Sequence, residues 1–478
     1  MPLSNIEPKV IWKNFSKLNA VPRPSKKEER VIEFAASFGK SLGLETTVDA
    51  VGNVIIKKSA TPGMEDRKPV ILQSHLDMVC QKNNDTVFDF ETQGIIMKIE
   101  GDWVKAEGTT LGADNGIGVA TIMSILESND IPHPAIEALF TIDEETGMTG
   151  ALGLQPGQLQ GDILLNLDTE EDDAFSIGCA GGVDVTATQT YELEAGIGEA
   201  AKIVIKGLKG GHSGMDIHKG LGNANVILGR FLYLDVDDIQ LIAIDGGGLR
   251  NAIPREAQAH FYCGNFDAYQ ANFETLKAEI MQEFAALEPG LSIELAASET
   301  SAQALSQEDS AKIIYALKAI HNGVYRMSPD IEGLVETSNN LARVALKEGD
   351  LQILCLTRSS VESTKVALAE QIEAVCELAE LSVNTSGDYP GWKPDPNSSI
   401  LTVMKDLYTS KFGAAPIVEA CHAGLECGII GAHYPNMEMI SFGPTIKGAH
   451  SPEERVSISS VQKFWDFVQD ILAHIPKK

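Results

Sequence analysis

Apolar stretches that end abruptly in a histidine or an acid constrain the fold of this chain more than any other feature of its sequence. The first runs from Val70 to Gln73 and is followed by His75 and, two places later, by Asp77. A short apolar run of this kind is typical of a buried strand. His75 is suited to ligate a metal there, with Asp77 orienting its imidazole as carboxylates do around zinc. Taken alone, however, such a pair is more often a histidine that caps a strand above an acidic loop.

Four later stretches repeat or complement this arrangement. Asp114 lies among glycines before an apolar helix, Asp143-Glu144-Glu145 follows a β-rich strand, Asp168 ends another strand, and His450 lies in a glycine-turned loop after a fourth. Singly, each also fits a plain turn or a solvated acidic loop. Adjacent carboxylates repel one another unless a cation lies between them, and ligands of open α/β sheets gather beyond the carboxyl ends of strands. Jointly, the two histidines and three carboxylates (His75, Asp114, Glu145, Asp168 and His450) indicate a pair of borderline divalent ions with one bridging carboxylate.

Composition and charge exclude several classes of function. A chain of 478 residues is expected to hold two or three domains. Its net charge of -29 disfavours nucleic acid and anionic membrane surfaces as partners. The sequence shows neither a secretory signal at its start nor an apolar run long enough to span a membrane. Seven scattered cysteines without a C-x-x-C pair indicate reduced thiols, and together these features predict a cytoplasmic protein.

Two segments that are rich in residues typical of loops interrupt the sequence: the glycine-rich residues 178–182 and the glycine- and proline-rich residues 387–396. We therefore predict a catalytic domain in two segments, 1–180 and 396–478, with an inserted domain at 181–395. The fold class expected is α/β, with a central mixed sheet flanked by helices in the catalytic domain.

The insert contains a faint internal repeat. A strand, a helix and a second strand at 201–207, 224–234 and 257–263 are matched by another set at 292–297, 309–321 and 351–358, and helix 272–284 is matched by helix 366–378. Two such halves predict an α+β domain with a duplicated, continuous antiparallel sheet. The insert also holds His212 within Lys-Gly-Gly-His-Ser-Gly, a setting in which a lone histidine is more often structural.

Together these motifs resemble one known superfamily. Ser-His75-Leu-Asp77, Gly-Ala-Asp114-Asn-Gly, Asp-Glu144-Glu145-Thr-Gly, Asn-Leu-Asp168, Gly-Gly-His212-Ser-Gly and the His450 loop follow the order found in the di-zinc peptidases that include aminoacylases, bacterial carboxypeptidases, tripeptidases and dipeptidases. The longer stretches Ser-His-Leu-Asp-Met-Val-Cys-Gln-Lys, Thr-Leu-Gly-Ala-Asp-Asn-Gly-Ile-Gly and His-Ala-Gly-Leu-Glu-Cys-Gly are similar to those of its aminoacyl-histidine dipeptidase branch. The resemblance covers essentially the whole chain.

The resemblance implies a role for each motif residue. His75 and Asp168 would bind one Zn²⁺, Glu145 and His450 a second, and Asp114 would bridge them; Co²⁺ or Mn²⁺ may replace zinc. Glu144 would be the general base, Asp77 the orienter of His75, and the peptide after Asp114 would be cis. The insert would be a lid whose His212 stabilises the developing oxyanion, acting either in its own chain or in a neighbouring one. The resemblance also implies a homodimer.

Two further residue roles follow from substrate chemistry. Arg358 is expected to bind the substrate carboxylate, because guanidinium groups bind carboxylates bidentately. One of the acids from 170 to 173, just after Asp168, is a candidate for the substrate amine.

The predicted activity is metal-dependent hydrolysis of dipeptides with broad specificity, including Xaa-His dipeptides. Removal of an N-acyl group from amino acids and cleavage of longer peptides by an exopeptidase remain alternatives on the same scaffold. An inactive binding protein is an alternative of another class, but it would be expected to have lost Glu144 or a ligand, and all six residues are present.

Overall fold

A computed structural model of the chain describes residues 3, 5–83, 85–298 and 303–478. These residues form two compact units: the first comprises 1–178, 394–420 and 425–478, and the second comprises 179–393 and 421–424. Residues 421–424 thus belong to the second unit, although the sequence analysis assigned them to the returning catalytic segment. None of the helices in the described ranges combines the length and apolar character needed to cross a bilayer.

The first segment of the chain contains four helices and eight strands within its described residues. In chain order they are α1 (Lys9–Leu18), α2 (Glu29–Ser41), β1 (Glu45–Val48), β2 (Val54–Lys58), β3 (Val70–His75), β4 (Met97–Glu100), β5 (Trp103–Ala106), α3 (Ala113–Glu127), β6 (Ile136–Thr141), α4 (Thr149–Gly153), β7 (Ile163–Asn166) and β8 (Ala174–Cys179).

The middle of the chain supplies the elements of the second unit. They are β9 (Gly181–Thr190), β10 (Glu194–Ala195), β11 (Glu199–Lys206), α5 (Ala224–Leu232), β12 (Gln240–Gly247), β13 (Ala257–Cys263), α6 (Phe266–Glu283), β14 (Ser292–Ala297), β15 (Gln303–Ala304), α7 (Gln307–Ala319), β16 (Gly323–Met327), β17 (Val335–Lys347), β18 (Asp350–Ser359), α8 (Glu362–Leu378) and β19 (Ser382–Tyr389).

The chain then returns to the first unit. The remaining elements are α9 (Ser399–Phe412), β20 (Ile417–Cys421), α10 (Glu426–His433), β21 (Glu438–Ser441), β22 (Ile446–Lys447), β23 (Arg455–Ser457) and α11 (Ile458–Ala473).

An eight-stranded mixed sheet forms the centre of the first unit, in the order β1-β2-β6-β3-β7-β21-β8-β20. Its four middle strands, β6, β3, β7 and β21, run parallel to one another. Every residue of β3, β6 and β7 is buried, which explains why these strands are largely apolar and do not alternate between apolar and polar residues. Because the four strands are parallel, the residues that follow them emerge at the same edge of the sheet.

Helix α3 lies in the core of this unit. It contacts α1 and β3, and every residue from Asn115 to Leu126 is buried. A helix that is apolar on all sides is typical of such an enclosed position. The helix is therefore fixed by packing along its length, and its first turn delivers Asp114.

A small antiparallel sheet, in the order β22-β23-β5-β4, completes the first unit. The loop between β22 and β23 carries His450, and the chain leaving β5 leads into the turn before α3. Since β5 and β23 pair directly, with Val104 opposite Val456, this sheet brings two loops from distant parts of the sequence together.

The second unit is built on one antiparallel sheet in the order β14-β11-β13-β12-β17-β18-β9-β19, with β16 added beside β17. Helices α5 to α8 pack against it, and a single large apolar cluster includes residues of both sheet and helices. The mixed sheet of the first unit and this antiparallel sheet confirm the predicted fold class.

The internal repeat differs from the one proposed from the sequence. The order of strands in the sheet divides it into β14-β11-β13-β12 and β19-β9-β18-β17, which meet where β12 pairs with β17. Strand β14 therefore ends the first half, whereas the sequence analysis made it the start of the second. The corresponding first strand of the second half is β9, so the first half is inserted within the second.

The carboxylate of Glu438 on β21 connects the central sheet to the start of α9. It accepts hydrogen bonds from Lys68 Nζ at 2.7 Å, from the hydroxyls of Ser398 and Ser399 at 2.8 Å, and from the backbone N–H of Ile400 at 3.1 Å. Burial alone would raise the pKa of Glu438, but Lys68, the serines and Ile400 outweigh burial and lower it to about 2.

We predict that Glu438→Gln lowers the free energy of unfolding by about 1–2 kcal/mol at pH 7. The substitution removes the ion pair with Lys68 and weakens the hydrogen bonds to the first turn of α9, and these contacts are only partly exposed to solvent. A carboxyl group whose pKa is depressed on folding stabilises the protein above its unfolded pKa. The difference between the variant and the wild type should therefore shrink as the pH falls from about 4.5 towards 2. Urea unfolding between pH 7 and pH 3 measures it, with Asp406→Asn on the exposed side of α9 as the control. A difference that does not change with pH would contradict the assignment.

Candidate metal centre

The five predicted ligands converge at one edge of the first unit. His75 ends β3, Glu145 follows β6 and Asp168 follows β7, so three of them emerge from neighbouring parallel strands. Asp114 lies in the first turn of α3, and His450 lies in the loop between β22 and β23.

Asp114 lies between two separate pairs of side chains. Its Oδ1 is 3.2 Å from Nε2 of His75, and the same nitrogen is 3.5 Å from Oδ1 of Asp168. Its Oδ2 is 3.3 Å from Nε2 of His450, which is 3.0 Å from Oε2 of Glu145. Each carboxylate oxygen of Asp114 therefore faces a different histidine and a different acid, as a bridging ligand requires.

This arrangement fits a pair of small divalent cations. Atoms bound to one tetrahedral zinc at about 2.0–2.2 Å lie roughly 3.3–3.6 Å from one another, and the four distances above are close to that spacing. His75, Asp114 and Glu145 also form a group whose ligand atoms lie within 4.8 Å of one another. Oε1 of Glu145 is buried and has no hydrogen-bond partner, which a cation would remedy.

The carboxylate of Asp77 organises both the imidazole of His75 and the loop after β6. Oδ1 of Asp77 is 3.3 Å from Nδ1 of His75 and accepts the backbone N–H of Glu144 at 3.1 Å, while Oδ2 accepts the N–H of Glu145 at 3.3 Å and the hydroxyl of Ser25 at 2.8 Å. Asp77 does not face the pair of cation sites, because His75 lies between them. It is thus a positioning residue for His75 and for the two glutamates.

The acids around the two histidines shift their pKa values strongly. Burial by itself lowers the pKa of His75, but Asp168, Asp114 and Asp77 outweigh it and hold the pKa well above its ordinary value. Hydrogen bonds to Asp114 and Glu145 raise the pKa of His450 to about 11. A group that attracts a proton this strongly also attracts a metal cation, and the two compete for the same nitrogen atoms.

Glu144 differs from its neighbour Glu145 in both contacts and environment. Burial raises the pKa of Glu144 well above its ordinary value; the charge of His75 opposes the rise, whereas Asp168, Glu426 and Glu145 reinforce it. No ion pair to Glu144 occurs within the described ranges, whereas Glu145 contacts His450. A carboxyl group that takes up a proton readily is suited to act as a general base.

Two buried charged residues that the sequence analysis did not select hold the backbone before Asp114. Glu454 accepts the N–H groups of Leu111, Gly112, Ala113 and Asp114 at 2.6, 2.9, 2.7 and 3.2 Å. Arg23 donates to the carbonyl oxygens of Gly112, Leu76 and Asp77 at 2.5, 3.0 and 2.9 Å. In the sequence, each of these residues is recognisable only as a charged residue in a loop, and nothing nearby indicates that its side chain is buried.

The peptide between Asp114 and Asn115 is cis, as the resemblance implied. The side-chain amide of Asn115 donates to the carbonyl oxygen of Leu167 at 2.9 Å and to the carboxylate of Asp168. Asn115 thus links the start of α3 to the end of β7, and it connects two of the predicted ligands directly.

Of the acids after Asp168, two are already paired with lysines. Glu171 contacts Lys447, and Asp172 lies 3.0 Å from Lys463. Burial raises the pKa of Glu170 to about 7, and Asp114 and Asp168 add to the rise. In the part of the chain that the structure describes, no cation pairs with Glu170 or with Asp173. Asp173 is exposed, whereas Glu170 is partly buried and is influenced by the charges of Asp114 and Asp168, so Glu170 is the better candidate for a substrate amine.

His212 and Arg358 lie in the second unit. Nδ1 of His212 accepts the backbone N–H groups of Gly214 and Met215 at 3.1 and 3.0 Å, so the ring proton is on Nε2. Burial, followed by the charge of Arg358, lowers the pKa of His212. His212 is therefore neutral near pH 7 and able to donate a hydrogen bond through Nε2.

Arg358 is a buried cation without a strong anionic partner. Its side chain is 5% exposed, Nη1 donates to the hydroxyl of Tyr389 at 3.0 Å, and Nε has no partner. Within the described ranges, no carboxylate lies within 4 Å of its guanidinium group. A buried charge of this kind calls for an anion.

The sequence analysis gave no role to His422, although it lies in one of the resembling motifs. Nε2 of His422 lies 2.8 Å from the hydroxyl of Ser338. Burial first, and then the charge of Arg358, lower its pKa to about 3. His422 is therefore a neutral residue near Arg358 and His212.

Comparisons with known proteins agree with these observations. The model of peptidase family M20/M25/M40 matches residues 71–474. The cytosol non-specific dipeptidase of Escherichia coli (strain K12) is 44% identical over 483 residues, covering 100% of this chain and 99% of that protein. The crystal structure of aminoacylhistidine dipeptidase from Vibrio alginolyticus is 44% identical, with a TM-score of 0.95 and coverage of 100% of this chain and 99% of that one.

A more distant structure, the aminopeptidase PepT from Bacillus cereus, is 17% identical with a TM-score of 0.58, and 98% of both chains is covered. This likeness concerns the fold alone. The family match and the full-length relatives extend over both units and all five converging residues. The chain therefore belongs to peptidase family M20/M25/M40.

Proposed function

We propose that this protein is a dipeptidase that uses two divalent cations, with zinc as the favoured metal, and accepts dipeptides of broad sequence, including Xaa-His. The observation that carries the proposal is the position of Asp114, whose two oxygens each face one histidine and one further acid. The dipeptidase names of the two relatives at 44% identity support the choice of substrate. The Escherichia coli protein is named as cytosolic, and we propose the same compartment here. The homodimer stays a prediction.

In this proposal each cation has its own histidine and acid. His75 and Asp168 would hold one ion, Glu145 and His450 the other, and Asp114 would bridge the two. When bound, such a pair lowers the pKa of a shared water and polarises the scissile carbonyl group. Two imidazoles and three carboxylates suit a borderline metal such as zinc.

The chain itself supplies the proton transfers. Glu144 would take a proton from the attacking water and return it to the leaving amine, which is the usual work of a general base followed by a general acid. The raised pKa of Glu144, which burial causes, makes it a stronger base than an exposed glutamate and supports its role in accepting the proton. Asp77 would keep the imidazole of His75 and the backbone of Glu144 in place throughout.

Residues of the second unit would bind the substrate, and we propose that this unit acts as a lid. His212 has its proton on Nε2, so it would donate a hydrogen bond to the developing oxyanion. Arg358 would receive the carboxylate of the dipeptide, because its buried guanidinium group has no anionic partner among the residues that the structure describes. Glu170 would receive the substrate amine.

The activity is tested with two acyl derivatives of histidine, only one of which carries a free amine. We predict that the protein hydrolyses Ala-His and does not hydrolyse N-acetyl-histidine at a comparable rate, because the acetyl compound offers no ammonium group to Glu170. Release of histidine measures both reactions, and a chelator should abolish the first. Preference for N-acetyl-histidine would favour the deacylase alternative, and activity unaffected by chelators would refute the proposal.

The two adjacent glutamates should separate base from ligand. We predict that Glu144→Gln lowers kcat by roughly 10²–10⁴-fold while elemental analysis still gives close to two divalent ions per chain, as in the wild type. Glu145→Gln should instead lower the metal content, because its amide is a poorer ligand. Equal metal loss in both variants, or near-normal turnover by Glu144→Gln with its metals bound, would contradict these roles.

Arg358 should matter only for substrates that carry a free carboxylate. We predict that Arg358→Ala lowers kcat/KM for dipeptides roughly 10–100-fold, since a charge-assisted contact contributes about 1.5–3 kcal/mol. Dipeptide amides should be poor substrates of the wild type and nearly insensitive to the substitution. Arg343→Ala is a matched control, because Arg343 lies on the neighbouring strand β17 and already pairs with Asp245 at 2.5 Å.

Equal losses on acid and amide substrates would remove Arg358 from this role. Peptide length provides a separate test of the lid, because a closed site fixes both ends of a dipeptide. Efficient cleavage of pentapeptides would reject the lid without affecting the assignment of Arg358.

A further inference from the structure

Glu454 makes an unusual set of contacts for a residue that binds neither substrate nor metal. It is 2% exposed, and its carboxylate accepts four consecutive backbone N–H groups, two on each oxygen, in the segment that ends at Asp114. Charge-assisted hydrogen bonds of this kind are stronger than neutral ones. The position of the Asp114 backbone is therefore tied directly to the position of Glu454.

The same residue ends the loop that carries His450. The pairing of β22 with β23 closes the base of this loop, and the N–H of Glu454 donates to the carbonyl oxygen of Ser451 at 3.0 Å. The side chain of His450 is 57% exposed, and its backbone has a φ of 62°, which is unfavourable for a residue other than glycine. Packing around the imidazole thus does little to hold His450, and the buried side chain four residues later anchors its loop.

Arg23 holds the other side of the same turn. The N–H of Gly112 donates to Glu454, and its carbonyl oxygen accepts from Arg23. Gly112 has a φ of 68°, and a Cβ atom there would collide with the guanidinium group of Arg23. The turn before Asp114 is thus fixed by a buried anion on its N–H groups and by a buried cation on a carbonyl group.

We infer that Glu454 is a positioning residue that sets the distance between Asp114 and His450 and thereby determines the affinity for the second cation. This inference rests on the proposed two-cation function and deepens it. The ion held by His75 and Asp168 depends on Glu454 only through Asp114. The ion held by Glu145 and His450 depends on it through both Asp114 and His450, so the two sites should respond unequally.

The test is titration of the metal-free full-length protein with Co²⁺, followed by its visible absorption and by equilibrium dialysis. The wild type should bind two ions. In Glu454→Gln the side-chain amide would turn a donor towards two backbone N–H groups. We expect the affinity for one ion to fall roughly 10–100-fold, the usual cost of changing a residue that supports a ligand, and the affinity for the other ion, which depends on Glu454 only through Asp114, to fall clearly less.

The neighbouring Glu453 gives a matched control, because it is exposed and carries the same side chain. Glu453→Gln should titrate as the wild type does. Glu454→Asp keeps the charge but shortens the side chain by one methylene, so it should recover part of the lost affinity. If Glu454→Gln does not fold, as judged by circular dichroism and thermal unfolding of the metal-free protein, Glu454→Asp carries the test and should show the same unequal loss.

Other outcomes overturn the inference. Unchanged affinities, equal weakening of both ions, or failure of both variants to fold would show that Glu454 does not set the second site selectively. A wild type that binds fewer than two ions would instead refute the proposed function. The two failures are thus distinguishable within one set of titrations.

Discussion

The repulsion between carboxylates at one sheet edge is the physical constraint on which the rest of this structure depends. Asp114 and Asp168 both lie within 3.5 Å of one nitrogen of His75, and Glu145 and Asp114 both lie within 3.3 Å of one nitrogen of His450. Two like charges 4 Å apart repel by roughly 4 kcal/mol at an effective dielectric constant of about 20. Such a cluster is unfavourable unless cations or protons compensate it, so the fold must hold its members together against their own repulsion.

The fold meets this constraint with rigid supports. β3, β6 and β7 are fully buried and parallel, and α3 is enclosed by its neighbours. Packing therefore prevents the backbone of these elements from shifting to separate the carboxylates. A further set of hydrogen bonds acts on the loops: Asp77 holds the backbone of both glutamates after β6, and Glu454 holds the turn before Asp114. These two carboxylates accept backbone N–H groups instead of facing the cation sites. They therefore fix the positions of the predicted ligands without facing the predicted cation sites.

The sequence predicts the part of this site that depends on strand ends. His75, Glu145 and Asp168 could be selected because an apolar strand ending in a polar residue is visible locally, and because parallel strands share one edge. Asp114 was visible from its glycines, and His450 from the strand and glycine turn that precede it. The roles of Glu454 and Arg23 could not be predicted from the sequence. Glu454 contacts residues about 340 positions away and Arg23 contacts residues up to about 90 positions away, and nothing in the neighbouring sequence marks either residue.

The fold of the second unit shows the same limit. The helices α5 to α8 and the strands β11, β13, β14 and β18 could be predicted from local patterns. Strand β9 was not assigned to the repeat. It pairs with β18, and Val185 lies opposite Cys355, so its partner is about 170 residues away. The sequence order suggested two successive halves, and only the pairing of strands reveals that one half lies inside the other. Residues 421–424 were misassigned for a similar reason, because their partners include Ser338, far earlier in the chain.

Each unit, described by itself, contains a charged group that suits one end of a dipeptide. The first unit contributes acids, and among the described residues neither Glu170 nor the exposed Asp173 has a lysine partner, whereas Glu171 and Asp172 do. The second contributes the unpaired guanidinium group of Arg358, and the nearby imidazoles of His212 and His422 have lowered pKa values and add no charge near pH 7. A free dipeptide carries an ammonium group at one end and a carboxylate at the other, only a few ångströms apart. In the proposed function, Glu170 would receive the ammonium group and Arg358 the carboxylate, so an acylated or amidated relative would leave one of these two charges without its partner.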